Sequence, residues 1–167
     1  MDKKNSVLIA DDDTSSLLDL GNILGSDYKI YAVTDGISAV EKAKKSLPDL
    51  ILLDIVMPGM NGFEVLAELQ KSGITQNIPV IFMTGQNNSV DEEKGFSLGA
   101  VDYICKPFNK LIVKHRVLNQ IKIVNLKRTL ESSHGAAHGA AHGVAHGAAH
   151  GAAHGAVHSA AQNVVII

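Results

Sequence analysis

The sequence predicts an α/β fold, a doubly wound five-stranded parallel sheet flanked by helices, followed by an extended C-terminal helix and a low-complexity tail. From residue 6 to about residue 108, short apolar runs alternate with amphipathic segments of helix length. The runs are rich in Val, Ile and Leu with little alternation, which is typical of strands that are covered on both faces. Alternating strands and helices indicate a parallel sheet with right-handed crossovers, as in flavodoxin-like domains.

The five apolar runs are predicted strands, at residues 7–10, 29–33, 50–53, 80–83 and 103–105. Four predicted helices lie between them, at about 15–24, 36–46, 62–71 and 90–98. Each predicted helix is preceded by a residue type that favours the N-cap position. These are Asp13 or Thr14, Asp35, Asn61 and Ser89.

A longer helix is predicted from about residue 109 to residue 132, and its second half extends beyond a compact domain of this size. Ile123, Leu126 and Leu130 keep the 3/4 spacing of a short coiled-coil seam. A frayed amphipathic end explains the same spacing, because barely two heptads are present. Both interpretations remain open.

The composition changes at His134, where seven tetrads related to His-Gly-Ala-Ala begin. We therefore predict a folded domain at residues 1–130 and a tail at 131–167 that is disordered or loosely helical. Histidines four apart on a helix are neighbours and can chelate Zn²⁺, Ni²⁺ or Cu²⁺, but a Gly in every tetrad costs about 1 kcal/mol relative to Ala. The candidate tail ligands are His134, His138, His142, His146, His150, His154 and His158.

The composition of the whole chain excludes several classes of protein. Its 167 residues carry a formal charge of −2 with a pI of about 6.4, so we expect no direct binding to nucleic acid. A single cysteine excludes an internal disulfide and fits a reducing compartment. No apolar stretch approaches the roughly 20 residues that span a bilayer, and residues 1–6 lack the apolar core of a signal peptide. We expect a cytoplasmic protein without membrane contact.

Chemically active side chains follow four of the five predicted strands. Asp11 and Asp12 follow the first strand, Asp54 the third, Thr84 the fourth and Lys106 the fifth. Each has a common structural explanation taken singly, such as an N-cap for an aspartate. The carboxyl ends of the strands, however, are where open α/β sheets bind ligands, so the combination predicts one shared site.

These residue types suit a phosphoryl group and Mg²⁺. Three crowded carboxylates are costly without a cation, and hard oxygen ligands suit Mg²⁺. A carboxylate nucleophile such as Asp54 can form an aspartyl-phosphate, while Thr84 can donate a hydrogen bond and Lys106 supplies a point charge. We expect Pro107 to fix the turn that aims Lys106, with a cis peptide bond as one way to do so.

Over about residues 5–130 the chain resembles the receiver domains of two-component response regulators. The motifs that carry the resemblance are Leu8-Ile9-Ala10-Asp11-Asp12-Asp13, Leu53-Asp54-Ile55-Val56-Met57-Pro58-Gly59-Met60-Asn61-Gly62, Met83-Thr84-Gly85, Gly99-Ala100-Val101-Asp102-Tyr103 and Lys106-Pro107-Phe108. The resemblance implies that a sensor histidine kinase phosphorylates Asp54 in a Mg²⁺-dependent reaction.

The resemblance also implies the roles of the neighbouring residues. Asp11 and Asp12 bind the metal together with Asp54 and the backbone carbonyl of Val56. Thr84 and Tyr103 form a switch pair, although a half-buried strand aromatic is the plainer interpretation of Tyr103. In the family, the positions of Val56 and Gln86 tune the lifetime of the phosphoryl group.

The main functional prediction is a phosphorylation-dependent protein-binding module that is not an enzyme beyond its own phosphorylation and dephosphorylation. The family commonly pairs through helix 4, strand 5 and helix 5, so a homodimer through that face is expected. One alternative is the N-terminal receiver of a signalling cyclase whose output domain is missing, because the residues after the long helix contain no output motif. The other alternative is a metal-binding protein that acts through its tail.

Overall fold

The computed structural model describes residues 4–85 and 89–139, and it contains the predicted parallel sheet. The strands are β1 (Ser6–Ala10), β2 (Lys29–Val33), β3 (Leu50–Asp54), β4 (Val80–Thr84) and β5 (Asp102–Cys105). They pair in the order β2-β1-β3-β4-β5, and every pairing is parallel. The chain thus reverses its direction of travel across the sheet between β1 and β3, which makes their carboxyl ends the switch point where ligands bind.

Five helices connect or follow the strands, and local hydrogen bonds to side chains set the starts of α1, α2 and α3. They are α1 (Thr14–Leu24), α2 (Gly36–Ser46), α3 (Gly62–Gln70), α4 (Ser89–Ser97) and α5 (Lys110–Gly139). Asp13, rather than Thr14, caps α1, Asp35 caps α2, and Asn61 forms a capping box with Glu64. Ser89 is the first residue of α4 itself, so it lies one position later than a cap.

Helices cover both faces of the sheet, as the continuous apolar strands predict. Alternate strand residues, including Leu8, Ile51 and Phe82, pack against α2, α3 and the segment that leads into β5. The residues between them, including Ile9 and Leu52, pack against α1 and α5. All five of these side chains are fully buried. Burying each such side chain stabilises the fold by roughly 1.5–3 kcal/mol, so the strand register is strongly determined.

The last helix is longer than the sequence predicts. Its amide groups at Leu111 and Ile112 donate to the Asn109 side chain at 3.0 and 3.2 Å, and it continues to Gly139 rather than ending near residue 132. The first repeat tetrad and part of the second are therefore helical, although each tetrad contains a glycine. Alanine, the strongest helix former, occupies two of the four positions of the first tetrad. The rest of the predicted tail lies outside the described residues.

The chain divides into two units, Met1–Leu126 and Lys127–Ile167. The first contains the sheet and its helices. The described part of the second is the end of α5, whose side chains at residues 127–135 are exposed. The sequence-based boundary after residue 130 remains a prediction. Over residues 4–85 and 89–139, no helix combines the length and the apolar character needed to cross a membrane.

Candidate phosphoryl and metal site

The register of the sheet places the predicted site residues at one level. Ala10 pairs with Leu53, so Asp11 lies level with Asp54 at the end of β3. Thr84 pairs with Cys105 one step further, which puts Lys106 directly after the last strand pair. Because all strands are parallel, their polar ends share one edge of the sheet.

Asp11 is fully buried, and its two oxygens have different environments. Oδ1 accepts a hydrogen bond from the backbone N–H of Asp13 at 2.9 Å. Oδ2 lies 2.7 Å from the ammonium of Lys106 but has no hydrogen bond of good angular geometry. A buried carboxylate oxygen is costly unless a cation compensates for it, so Oδ2 has capacity left for a further positive ligand.

Asp54 is 6% exposed and shares the same lysine. Its Oδ2 lies 3.0 Å from Lys106 Nζ, and its Oδ1 accepts a long hydrogen bond from the Val56 amide at 3.4 Å. Burial raises the pKa of Asp54, the neighbouring charge of Asp11 raises it further, and Lys106 opposes both effects. The pKa of Asp54 is raised overall, so the contact with Lys106 does not offset the cost of burying this carboxylate.

Lys106 reaches both acids from the loop after β5. Its peptide bond to Pro107 is cis, as the sequence suggested, and its backbone N–H donates to the Thr84 carbonyl at 2.8 Å. Burial by itself lowers the pKa of Lys106, but the close contacts and negative charges of Asp11 and Asp54 outweigh this effect, and the pKa is raised. The lysine is therefore a permanent cation at neutral pH.

Asp12 completes a group of three carboxylates. One oxygen from each of Asp11, Asp12 and Asp54 can be chosen so that all lie within 4.8 Å of one another. Asp12 is exposed, whereas the other two acids are buried. Oxygen donors at this spacing, with a buried oxygen that lacks a directed hydrogen bond, fit a hard divalent cation such as Mg²⁺ that keeps several waters. The Val56 amide beside Asp54 brings that peptide group to the same edge.

Asp13 has a different task from its two neighbours. Its Oδ1 accepts hydrogen bonds from the amide and the hydroxyl of Ser15, at 3.0 and 2.6 Å. These hydrogen bonds lower the pKa of Asp13. The third acid of the Asp-Asp-Asp run is therefore a helix cap.

Thr84 and Tyr103 lie on adjacent strands behind the acids. The Thr84 hydroxyl is buried and donates to the Gly85 carbonyl at 3.1 Å. Tyr103 is 6% exposed, so its side chain is buried in this conformation rather than half-buried. Burial raises the pKa of Tyr103 to about 12, with further contributions from the charges of Glu92 and Asp91.

Sequence reasoning missed the part that two glycines play. A side-chain carbon on Gly62 would lie 2.3 Å from the backbone oxygen of Asp54, so glycine lets α3 start against the end of β3. A side-chain carbon on Gly95 would likewise lie too close to the hydroxyl oxygen of Tyr103. Their residue type is visible in the sequence, but the atoms they approach are not.

Comparison with known proteins agrees with this geometry. Residues 7–118 match the family of the response regulator receiver domain. The chain belongs to this family. The structural prediction and the family resemblance drawn from the motifs are both confirmed.

Three individual proteins are similar to this chain. A probable cyclic di-GMP phosphodiesterase of Vibrio cholerae is 43% identical over 112 residues, which cover 67% of this chain and 25% of that protein. A putative response regulator from Chloroflexus aurantiacus has a TM-score of 0.69 and 30% identity, over 72% of this chain and 99% of that one. The receiver domain of the Pseudomonas aeruginosa sensor histidine kinase PA1611, solved with a magnesium ion in its active-site cleft, has a TM-score of 0.67 and 26% identity, over 72% and 99%.

Little of the tail that follows the receiver is described. His134 is exposed on α5, and its Nδ1 lies 2.9 Å from the Leu130 carbonyl oxygen. The side chain of His138 and the whole of the segment that contains the other five histidines lie outside the described residues. Gln86, the second lifetime position, also lies outside them. The tail metal site therefore stays a prediction, and so does the assignment of Val56 and Gln86 as the positions that tune the lifetime of the phosphoryl group.

Proposed function

We propose that this receiver accepts a phosphoryl group on Asp54 from a sensor histidine kinase in a Mg²⁺-dependent reaction and then changes a protein-binding surface. The observation that carries the proposal is the position of Lys106 Nζ, 2.7 Å from Asp11 and 3.0 Å from Asp54. One cation between two buried carboxylates leaves one negative charge in excess. That charge can attract a divalent metal ion, and it leaves a carboxylate oxygen able to act as the nucleophile.

In the proposed reaction, a carboxylate oxygen of Asp54 forms a bond to phosphorus as the bond between phosphorus and the kinase histidine nitrogen breaks. Lys106 and the Thr84 hydroxyl bind oxygens of the transferred group and stabilise charge in the transition state. Asp11, Asp12, Asp54 and the Val56 carbonyl hold Mg²⁺. When bound, the metal supplies positive charge that neutralises phosphoryl oxygens.

The donor must approach at the carboxyl edge of the sheet, because Asp54 is 6% exposed. A hollow of about 350 Å³ lies between α1 and the residues that lead from β5 into α5. Its lining combines apolar side chains (Ile23 and Phe108) with polar ones (Asp19, Asn22 and Lys110). Such a mixed lining suits a protein donor, and we place kinase docking there.

The output of the reaction is a change in the face formed by α4, β5 and α5. Thr84 and Tyr103 lie between the acids and this face, so a phosphoryl group that draws the Thr84 hydroxyl alters the surroundings of Tyr103. Phosphorylation then promotes pairing of two receivers through this face. The energy comes from contacts that the phosphoryl group makes in one state and not in the other. Hydrogen exchange across residues 91–121 that is identical with and without phosphate contradicts this step.

The deciding experiment is incubation with acetyl phosphate and Mg²⁺, followed by intact mass measurement. We expect the wild-type chain to gain the mass of one phosphoryl group and Asp54→Asn to gain none. Asp27→Asn, which removes a surface carboxylate paired with Lys114, serves as the control and should behave as wild type. Labelling of Asp54→Asn at the wild-type level rejects the assignment of the phosphoacceptor.

A second candidate function is regulation of an attached enzyme. The Vibrio cholerae relative named as a phosphodiesterase is about four times longer than the region it shares with this chain. In that case the chemistry at Asp54 is unchanged, and α5 carries the signal to a catalytic domain.

By itself, we propose, this receiver is a cytoplasmic signalling module without catalytic turnover of other substrates. It acts through proteins rather than through direct binding to nucleic acid.

A further inference from the structure

On the face of α4 that packs against the sheet, Gly95 leaves a gap because it has no side chain. This residue is buried against β4 and β5. A side-chain carbon built there would lie 1.7 Å from the Tyr103 hydroxyl oxygen and 2.9 Å from Phe82 Cδ2. Atoms that are not bonded do not approach this closely, since carbon contacts are optimal near 3.5–4.0 Å. The space that a side chain of α4 normally fills is therefore filled by Tyr103.

The Tyr103 hydroxyl is held in this gap by α4 itself. It lies 2.8 Å from the Glu92 carbonyl oxygen and 3.1 Å from that of Asp91, so its proton is shared between two backbone acceptors. The ring also meets Phe96 edge-on, with centroids 4.7 Å apart. Backbone and side chain of α4 thus contact the tyrosine on several sides.

A buried tyrosine hydroxyl needs a hydrogen-bond partner, and here the partner is available only if α4 lies close to β5. Close approach in turn requires that residue 95 has no side chain. The buried rotamer of Tyr103 and the close approach of α4 to β5 therefore depend on each other. Residue 95 lies on α4, away from the acids that perform the chemistry.

We propose that Gly95 is a positioning residue for the switch, because the gap it leaves in α4 selects the buried rotamer of Tyr103 before any phosphoryl group is present. The proposal rests on the proposed function in that Tyr103 and Thr84 are the switch pair. It goes further by assigning the resting state: in this chain Tyr103 is already inward, and phosphorylation stabilises an arrangement that α4 permits at rest. A side chain at residue 95 would reverse that preference.

The test uses the full chain labelled with ¹³C-tyrosine, in which Tyr103 is one of only three tyrosines. Ring signals are assigned with single Tyr→Phe variants and recorded without phosphate. We expect Gly95→Ala to move the Tyr103 ring signal toward that of an exposed tyrosine, while Tyr28 and Tyr31 keep their signals. Gly21→Ala is the matched control, because Gly21 also lies in a helix and a carbon added there meets nothing within 4 Å. An unchanged Tyr103 signal in Gly95→Ala overturns the proposal.

A second measurement covers the case in which Gly95→Ala does not fold. In a Tyr103→Leu background the side chain is too short to reach the gap, and Phe82 gains room to move. We expect the added Gly95→Ala change to leave the melting temperature of Tyr103→Leu unchanged or higher, as helix propensity predicts. A large further drop shows that Gly95 is needed for another reason and rejects the proposal.

The switch and the phosphoacceptor are tested separately. The ring signals are read without phosphate, whereas acetyl phosphate labelling of Asp54 is read by mass. With phosphate added, the wild-type Tyr103 ring should stay in its buried rotamer while its surroundings change. In Gly95→Ala the ring should instead move from an exposed to a buried position, or phosphorylation-dependent pairing should be lost. Failure of wild type to be labelled rejects the proposed function but leaves the resting position of Tyr103 measurable.

Discussion

The ammonium of Lys106 lies 3.0 Å from Oδ2 of Asp54, although 51 residues separate the two along the chain. The contact forms because β3 and β5 both pair with β4 and run in the same direction. It links the residue that carries the proposed chemistry to the residue that balances its charge. Substitutions that change the charge of the acids or of the lysine therefore test the proposed roles of the site residues.

Replacing Lys106 by methionine keeps the length of the side chain and removes the charge. We expect phosphorylation by acetyl phosphate to slow by on the order of a hundredfold, since one charged contact to the transferred group is lost. We expect Mg²⁺ affinity in calorimetric titration to rise by roughly tenfold, about 1.4 kcal/mol, because the acids lose a competing cation. Lys71→Met, at a lysine whose side chain is 70% exposed, should change neither quantity. Weaker Mg²⁺ binding in Lys106→Met contradicts this account of the charges.

The raised pKa of Asp54 has a defined effect on stability. The folded protein holds the Asp54 proton more tightly than the unfolded chain does, so this contribution to stability is present below the ordinary pKa of 3.8 and lost as pH rises through the raised pKa. Without metal at pH 7, Asp54→Asn should therefore melt at a higher temperature than wild type, and the difference should shrink toward pH 4. A lower melting temperature for Asp54→Asn in EDTA at pH 7 contradicts the prediction.

Asp35 is a control of opposite sign. Hydrogen bonds from the backbone and side chain of Ser38 lower its pKa, so its contribution is present above the ordinary pKa and lost as pH falls through the lowered value. Asp35→Asn should reduce the melting temperature slightly at neutral pH and less in acid. The two variants together separate the charge of Asp54 from general effects of removing an acid.

Substitutions at the adjacent residues Asp12 and Asp13 should impair different properties of the protein. Asp12→Ala removes one of three clustered carboxylates, so Mg²⁺ binding and Mg²⁺-dependent phosphorylation should be lost with little change in melting temperature. Asp13→Ala removes the cap of α1, so the melting temperature should fall by a few degrees while Mg²⁺ still binds. Thermal melts with and without Mg²⁺ read both properties. Normal phosphorylation of Asp12→Ala shows that the metal assignment is wrong.

The proposed pairing face has exposed apolar side chains that give a further test. Leu111 and Leu118 of α5 are 78% and 41% exposed. Leu118→Glu should abolish phosphorylation-dependent self-association in sedimentation velocity experiments without reducing phosphorylation of Asp54. Ile74→Glu, at a side chain that is 61% exposed outside α4, β5 and α5, is the matched control and should still associate. Self-association of Leu118→Glu at the wild-type level places the interface elsewhere.

The sequence by itself determined the five strands, the caps at Asp35 and Asn61, and the strand ends that carry the acids, threonine and lysine. These features depend on residue type and spacing along a short stretch of chain, and therefore can be read locally. The same local information left two candidates for the cap of α1, because Asp13 and Thr14 both suit that position.

Only the tertiary structure decided which of three successive aspartates is buried, which is exposed and which caps a helix. It also decided that Tyr103 is buried beneath Gly95 and that α5 continues to Gly139. These outcomes depend on strand register, on the approach of α4 to β5 and on the neighbours of each side chain, which come from residues distant in sequence. The sequence shows where the glycines are, but only the tertiary structure shows which atoms occupy the space that a side chain would have filled.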